Sequence, residues 1–299
     1  MGNISKSQLS NANLLQTLTA GMIKAVGILI LVVGTAMSAS PPAKTTGSDP
    51  VDSIRTTRSD VNTEAEEFLK GKSPEEVDWY LRIKPIGMRM RPDLVFVKDN
   101  PALPRVLLIG DSISLGYTLP VRELLKDRAN VHRIPGNGGE TARGLVGLQN
   151  VKTWLGTGKW DVIHFNFGIH DLKRIKDGKW DITGKPVSSP AIYEKNLREV
   201  VVRLKATGAR LIWASTTQIP EGAAGVPADG EIELNVIAAK IMKENNIPIN
   251  DLHAHLAKEL AKYQNPKNVH FGPEGYRYLA QGVAAAILDA LPQQGKTAP

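Results

Sequence analysis

From residue 105 onward the chain alternates short apolar runs with amphipathic stretches. The runs are "RVLLIG" (105–110), "VHRIP" (131–135), "DVIHFNFG" (161–168), "ARLIWASTT" (209–217) and "IPINDL" (247–252). Near-continuous Val, Ile and Leu positions predict strands buried on both faces, because a half-exposed strand would alternate. Between and after the runs, apolar positions fall at helical spacing near 119–128, 141–155, 190–206, 231–245, 253–263 and 273–290. Such alternation predicts a parallel sheet covered by helices on both sides. Five strand–helix units in about 190 residues are too few for a closed eight-stranded barrel. With right-handed crossovers they give an α/β domain of three layers, α/β/α, around a flavodoxin-like five-stranded parallel sheet.

The pattern upstream is different. Residues 59–100 begin with two helical stretches, "SDVNTEAEEFL" and "SPEEVDWYL", for which Ser59 and Ser73 are N-caps. They end on the proline-punctuated "MRPDLVFVKDNPALP". Ahead of them residues 40–58 read as a Pro/Ser/Thr-rich linker. Residues 1–39 carry the order of an export signal, with Lys24, an apolar run over 25–33 and then small residues. The expectation is a signal peptide, or an uncleaved membrane tether through residues 21–37, and a periplasmic or extracellular location. The apolar run is shorter than the ~20 residues of a full span. The plan is then signal or anchor (1–39), linker (40–58), helical N-terminal extension (59–100), α/β domain (101–292) and tail (293–299).

Composition removes several kinds of chemistry. The 299 residues contain no cysteine, which excludes disulfides, thiol nucleophiles, zinc–thiolate sites and iron–sulfur clusters. The net charge of +7 includes Lys6, Lys24 and Lys44, which all precede the first acid, Asp49. The remaining excess is dispersed among Asp and Glu, so no nucleic-acid partner is expected. No metal or other cofactor is expected either. His253 and His255 stand two apart and cannot share a helix face, and His132 and His164 read as strand residues.

In an open parallel sheet the ligand sits beyond the carboxyl ends of the strands. There the chain places Gly110-Asp111-Ser112, "PGNGGETARG", "FGIHDLK" and, ahead of the last helix, "NVHFGPEGY". No G-x-G-x-x-G or P-loop is present, and G-x-S-x-G is absent because Ser114 stands where the second glycine belongs. What remains is a serine, a histidine and glycine-rich turns. Those are the parts of a serine hydrolase: nucleophile, base and N–H donors for a developing oxyanion.

In this order the four blocks resemble the GDSL/SGNH hydrolase superfamily, over about residues 103–291. The resemblance implies that Ser112 is the nucleophile and His270 its base, with the Ser112 and Gly139 amides in the oxyanion hole. The family's third donor is an Asn side chain just before an Asp. Here His170 precedes Asp171, and Asn166 is an alternative donor. A protonated His170 would donate better, which would make activity sensitive to pH near ~6.5. The family's acid lies three residues before its histidine, where this chain has Lys267. A Ser–His dyad with another orienter is therefore expected: a backbone carbonyl, Asn268, or Glu274 one turn later. Asp251 reads as a helix cap, and Asp111 as a brace of the turn.

Two segments should rim the pocket, "KRIKDGKWDITGKPVSSP" (173–190) and "QIPEGAAGVPADG" (218–230). They are polar, carry one tryptophan (Trp180) and lack the apolar character of a lipase lid. An exported enzyme with such a rim is expected to remove a short acyl group, most simply acetyl, from a carbohydrate. Two alternatives stand beside it: a lysophospholipase or arylesterase of the same fold, and a catalytically impaired glycan-binding module. The expected partner is a small acyl ester or an acylated glycan. Oligomeric state is left open.

Overall fold

The computed structural model describes residues 67–83, 91–149 and 154–291. The expected signal or anchor, the expected linker and tail, and the expected N-cap at Ser59 lie outside the described residues.

Helix α1 (Pro74–Arg82) starts on a reciprocal cap. The Glu76 amide donates to Ser73 Oγ, and the Ser73 amide donates to Glu76 Oε2. Trp79, Tyr80 and Ile83 pack with Leu94, which belongs to a 3₁₀ turn at Pro92–Leu94, and with Leu115. The Trp79 indole N–H donates to the Leu94 carbonyl at 2.8 Å. The described part of the extension is thus packed on the helix that follows Ser112.

The main sheet contains β1 (Arg105–Ile109), β2 (Asn130–Arg133), β3 (Val162–Phe165), β7 (Arg210–Ala214) and β8 (Ile249–Asn250). Its order is β2-β1-β3-β7-β8, all parallel, as the flavodoxin-like expectation requires. Successive side chains of β1 point to opposite faces and bury on both. Val106 and Leu108 join Tyr117, Val121, Leu252, Leu279, Val283 and Ile287 on one side. Leu107 and Ile109 join Tyr193, Leu197, Ile241 and Met242 on the other.

The first side is formed by α2 (Ser112–Leu124), α7 (Leu252–Ala257) and α9 (Pro273–Ala290), with the short α8 (Leu260–Tyr263) beside them. The second is formed by α3 (Thr141–Gly147), α5 (Pro190–Lys205) and α6 (Gly230–Glu244). The single turn α4 (Ile169–Leu172) follows β3.

The helix expected over 141–155 ends at Gly147 and the one expected over 253–263 is split into α7 and α8. Two further departures bear on the site. Helix α2 begins at Ser112 itself, seven residues before the expected start and in spite of Pro120 in its interior. Residues 174–186, read as a polar loop, form a second antiparallel sheet of β4 (Arg174–Lys176), β5 (Lys179–Trp180) and β6 (Lys185–Pro186), ordered β5-β4-β6.

Candidate active site

The early start of α2 makes Ser112 the first residue of a 13-residue helix. The Ser112 amide therefore lies among the helix's first N–H groups, which have no carbonyl from a preceding turn and carry the positive end of the helix dipole. Asp111 is buried and caps this helix, accepting from the Ile113 amide at 2.9 Å. It braces the turn that presents the serine.

Ser112 Oγ lies 2.8 Å from His270 Nε2 across 158 residues of sequence. On the other side of the ring, Asn268 Oδ1 lies 2.8 Å from His270 Nδ1 and accepts the His270 backbone N–H at 3.1 Å. A backbone N–H can only donate, so the Asn268 atom facing it is the amide oxygen. That oxygen can only accept, so Nδ1 carries the proton. The Nε2 lone pair then faces the serine hydroxyl, which is the tautomer a general base needs.

The local backbone explains why residue 268 and not 267 orients the ring. Lys267 has φ +54°, in the left-handed region that costs a non-glycine residue about 1–2 kcal/mol. The Asn268 amide donates back to the Asn265 carbonyl, and the Asn265 amide donates to the His270 carbonyl. This tight turn brings Asn268 onto the histidine, while the Lys267 stem lies against Gly222 of the opposite rim. Glu274 is not an orienter. It is exposed and pairs with Arg277 one turn along its own helix. Asp251 caps α7 through the Ala254 amide and also accepts from the Ser215 hydroxyl.

The expected oxyanion donors fare unevenly. Gly138 and Gly110 bring their two turns into contact: the Gly138 amide donates to the Gly110 carbonyl at 2.9 Å, and a Cβ on Gly138 would meet that oxygen at 2.8 Å. This places the Gly139 turn beside the nucleophile. The Gly139 amide itself, however, donates to Asn137 Oδ1 at 2.8 Å, an i to i+2 side-chain turn that sequence reading missed. Asn166 is corrected as a donor. Its amide hydrogens go to the Ala214 carbonyl (2.8 Å) and Thr216 Oγ1 (3.2 Å), tying the end of β3 to the end of β7.

His170 faces Lys173, whose Nζ lies 3.4 and 3.5 Å from the two ring nitrogens. Burial lowers the affinity of His170 for a proton; Asp111 and Glu140 oppose this, while Lys173 and Arg143 add to it. The imidazole is thereby held neutral at neutral pH, with one N–H to donate. Asp171 is fully buried and accepts from the Thr141 amide (3.0 Å) and hydroxyl (2.6 Å). It clamps the start of α3 two residues past Gly139. Burial pushes its carboxyl up to about 6 against those hydrogen bonds.

Arg133 was not expected. It is fully buried at the end of β2 and donates to the Gly136 carbonyl (2.8 Å), Thr118 Oγ1 (2.9 Å), the Ile134 carbonyl (3.3 Å), the Gly110 carbonyl (3.4 Å) and Ser114 Oγ (3.4 Å). Burial pulls its guanidinium down to about 10, so it is still a cation at neutral pH. One side chain therefore joins the nucleophile turn, its helix and the Gly139 turn from beneath. The only trace in the sequence is a charge inside the apolar run "VHRIP". Arg133→Met is expected to cost about 3 kcal/mol or more of stability, because the Gly136 carbonyl loses its donor and the Gly110 and Ile134 carbonyls keep only one each. Urea unfolding measures this, and a change below about 1 kcal/mol would contradict it.

The remaining histidines are structural. Asn250 Nδ2 meets the buried His164 Nε2 at 3.0 Å, and burial pulls that ring down to about 4. His132 pairs with Asp99 and His253 with Glu231, and His255 faces the Tyr278 carbonyl. Among the described residues no group of three metal-ligating side chains converges.

Residues 108–278 match the model of the GDSL-like lipase/acylhydrolase family. No curated protein matches the sequence significantly. Among solved structures, a lipase/acylhydrolase from Enterococcus faecalis superposes with a TM-score of 0.52 at 18% identity, over 64% of this chain and 100% of that one. The acetyl xylan esterase AlAXEase gives 0.50 at 18% identity, over 61% and 99%. At such identities the likeness establishes the fold. The family match covers the strand-end blocks from the nucleophile to the histidine. This chain belongs to the GDSL-like lipase/acylhydrolase family and is a serine esterase.

Proposed function

We propose that the enzyme removes short acyl groups, most simply acetyl, from an O-acylated carbohydrate through an acyl-enzyme on Ser112. The chemistry rests on the Ser112–His270–Asn268 relay. As Ser112 Oγ attacks the ester carbonyl, its proton passes to His270 Nε2, and Asn268 holds the imidazolium through Nδ1–H. The oxyanion forms at the helix N-terminus beside the Ser112 amide. It recruits the Gly139 amide by displacing Asn137 Oδ1, and each such donor is worth ~3 kcal/mol in the transition state. His270 then protonates the departing sugar oxygen and the ester C–O bond breaks. Water, deprotonated by His270, attacks the acyl-serine; His270 returns that proton to Ser112 Oγ as the acyl–Oγ bond breaks and the carboxylic acid leaves.

The observation that favours a sugar is the small antiparallel sheet, which Lys173 links to His170. Trp180 is 53% exposed on this sheet, opposite Ile175 and with Lys173 over its ring, and lysines and an aspartate stand beside it. An aromatic face among hydrogen-bonding groups suits a pyranose better than an acyl tail. The acetyl xylan esterase noted above has the same fold, which is consistent with this reading.

The test is an acyl series. p-Nitrophenyl acetate is expected to be hydrolysed at least as fast in kcat/KM as the octanoate, because a longer tail that finds no apolar groove gains none of the ~0.8 kcal/mol per buried methylene. Acetate release from acetylated xylan should accompany it. The reverse order, with activity on lysophospholipid, would establish the lipid-esterase reading instead.

A further inference from the structure

The small sheet does more than carry Trp180. Between residues 173 and 186 stand five cations (Lys173, Arg174, Lys176, Lys179, Lys185) and two acids (Asp177, Asp181). Asp181 accepts from the Thr183 amide and hydroxyl at 2.8 Å each, and Lys176 acts on it electrostatically without forming an ion pair. Lys176, Lys179 and Lys185 are exposed, and none of them takes part in an ion pair among the described residues. Ile175, Trp180 and Ile182 are each 40–53% exposed on the same element.

This element is held in place. The Arg174 amide donates to the Gly225 carbonyl at 2.8 Å, and the Val187 amide to the Lys173 carbonyl at 2.8 Å. Arg174 Nη1 donates to the Gly184 carbonyl. Gly225 has φ +68°, and a Cβ there would meet the Trp180 Cβ at 2.8 Å, so the two rim segments touch without room for a side chain.

The sheet also reaches the reaction centre. Lys173 Nζ lies 4.5 Å from the centre of the Trp180 ring while touching His170. Asp111 and Glu140, the neighbours of Ser112 and Gly139, act electrostatically on this same ammonium. A cationic, aromatic-bearing platform thus lies within electrostatic reach of Asp111 and Glu140, which flank Ser112 and Gly139.

We propose that this sheet is a binding platform for an anionic polysaccharide, and that the natural substrate is an O-acylated glycan bearing carboxylate or sulfate groups. The inference rests on the carbohydrate-esterase reading above and narrows its substrate. Trp180 stacks against a sugar ring while Lys176, Lys179 and Lys185 meet anionic groups along the polymer. The sheet raises the local concentration of such a chain at Ser112.

The experiment compares three chemically acetylated polymers: polygalacturonate, dextran sulfate and neutral dextran. p-Nitrophenyl acetate serves as the reference ester. At about 20 mM salt, one or both anionic polymers should exceed neutral dextran about tenfold in kcat/KM, and about 0.5 M salt should remove the advantage. Polygalacturonate and dextran sulfate separate carboxylate from sulfate recognition. The double change Lys176→Glu with Lys179→Glu should erase most of the preference. Lys240→Glu with Lys243→Glu, on the distant α6, should leave it intact.

Equal turnover of the neutral and anionic polymers at low salt would overturn the inference. So would a preference that survives the Lys176/Lys179 change, or adsorption to phosphatidylglycerol vesicles with no polymer preference. Equal turnover of neutral and anionic polymers by the parent enzyme at low salt, with p-nitrophenyl acetate still hydrolysed, defeats this inference alone. Absence of p-nitrophenyl acetate hydrolysis defeats the underlying esterase mechanism as well.

Discussion

Ser112→Ala and His270→Ala are each expected to lower kcat on p-nitrophenyl acetate by about 10⁴-fold or more, and the double variant to be hardly worse than either. The expectation follows from the 2.8 Å contact between Ser112 Oγ and His270 Nε2 and from the proton on Nδ1. The two residues act as one unit: a serine without its base is a weak nucleophile, and a base without the serine has no proton to accept. What survives is the helix N-terminus and substrate binding, which still favour attack by water to a small extent. Both side chains lie near the surface, and neither carries the core, so unfolding midpoints should stay close to the parent's. A His270→Ala variant within about tenfold of the parent would show that another base serves Ser112, and the relay described above would be wrong.

The second large effect concerns Asn268. Asn268→Ala removes the acceptor of both the Nδ1–H and the His270 amide. The ring is then free to rotate or to take the other tautomer, and kcat is expected to fall about 10³-fold, below the ~10⁴-fold seen when a triad carboxylate is disabled. KM should change far less, because Asn268 acts through the histidine. Asn268→Asp keeps an acceptor in the same place and should restore most of the rate. It also adds a negative charge beside the imidazole, which favours the protonated ring. The acid limb of its kcat/KM profile should therefore move to higher pH than the parent's. Equal losses in the Ala and Asp variants, with no displacement of the limb, would mean that Asn268 only shapes the loop.

Much of this site could be read from the chain, because its parts are local. The apolar runs give the strands, their order follows from right-handed crossovers, and Gly110-Asp111-Ser112 sits where a strand must end. The start of α2 was hidden because Ser112, Ser114 and Gly116 are weak helix formers and Pro120 follows. Packing of Tyr117 and Val121 into the core outweighs those preferences.

Asn268 was among the orienters the sequence offered, but choosing it depends on the positive φ of Lys267, and a lysine gives no sign of adopting one. Arg133 serves three backbone carbonyls, which leave no mark in a sequence, and two hydroxyls of α2 that only the fold brings to it. Nor could residues 174–186 announce a sheet. Their strands are two or three residues long, below the length at which alternation has meaning.

The neutrality of Asn268 also shapes how the enzyme treats different alcohols. A carboxylate beside the ring would stabilise the imidazolium and make it a weaker acid. An amide oxygen accepts the same hydrogen without that charge, so the imidazolium formed here gives up its proton more readily. Attack by the serine gains less from such a base, while expulsion of a basic alkoxide gains more. The rate should therefore depend only weakly on leaving-group basicity: activated phenyl esters lose part of their usual advantage, and esters of sugar hydroxyls lie closer to them than a carboxylate triad would allow.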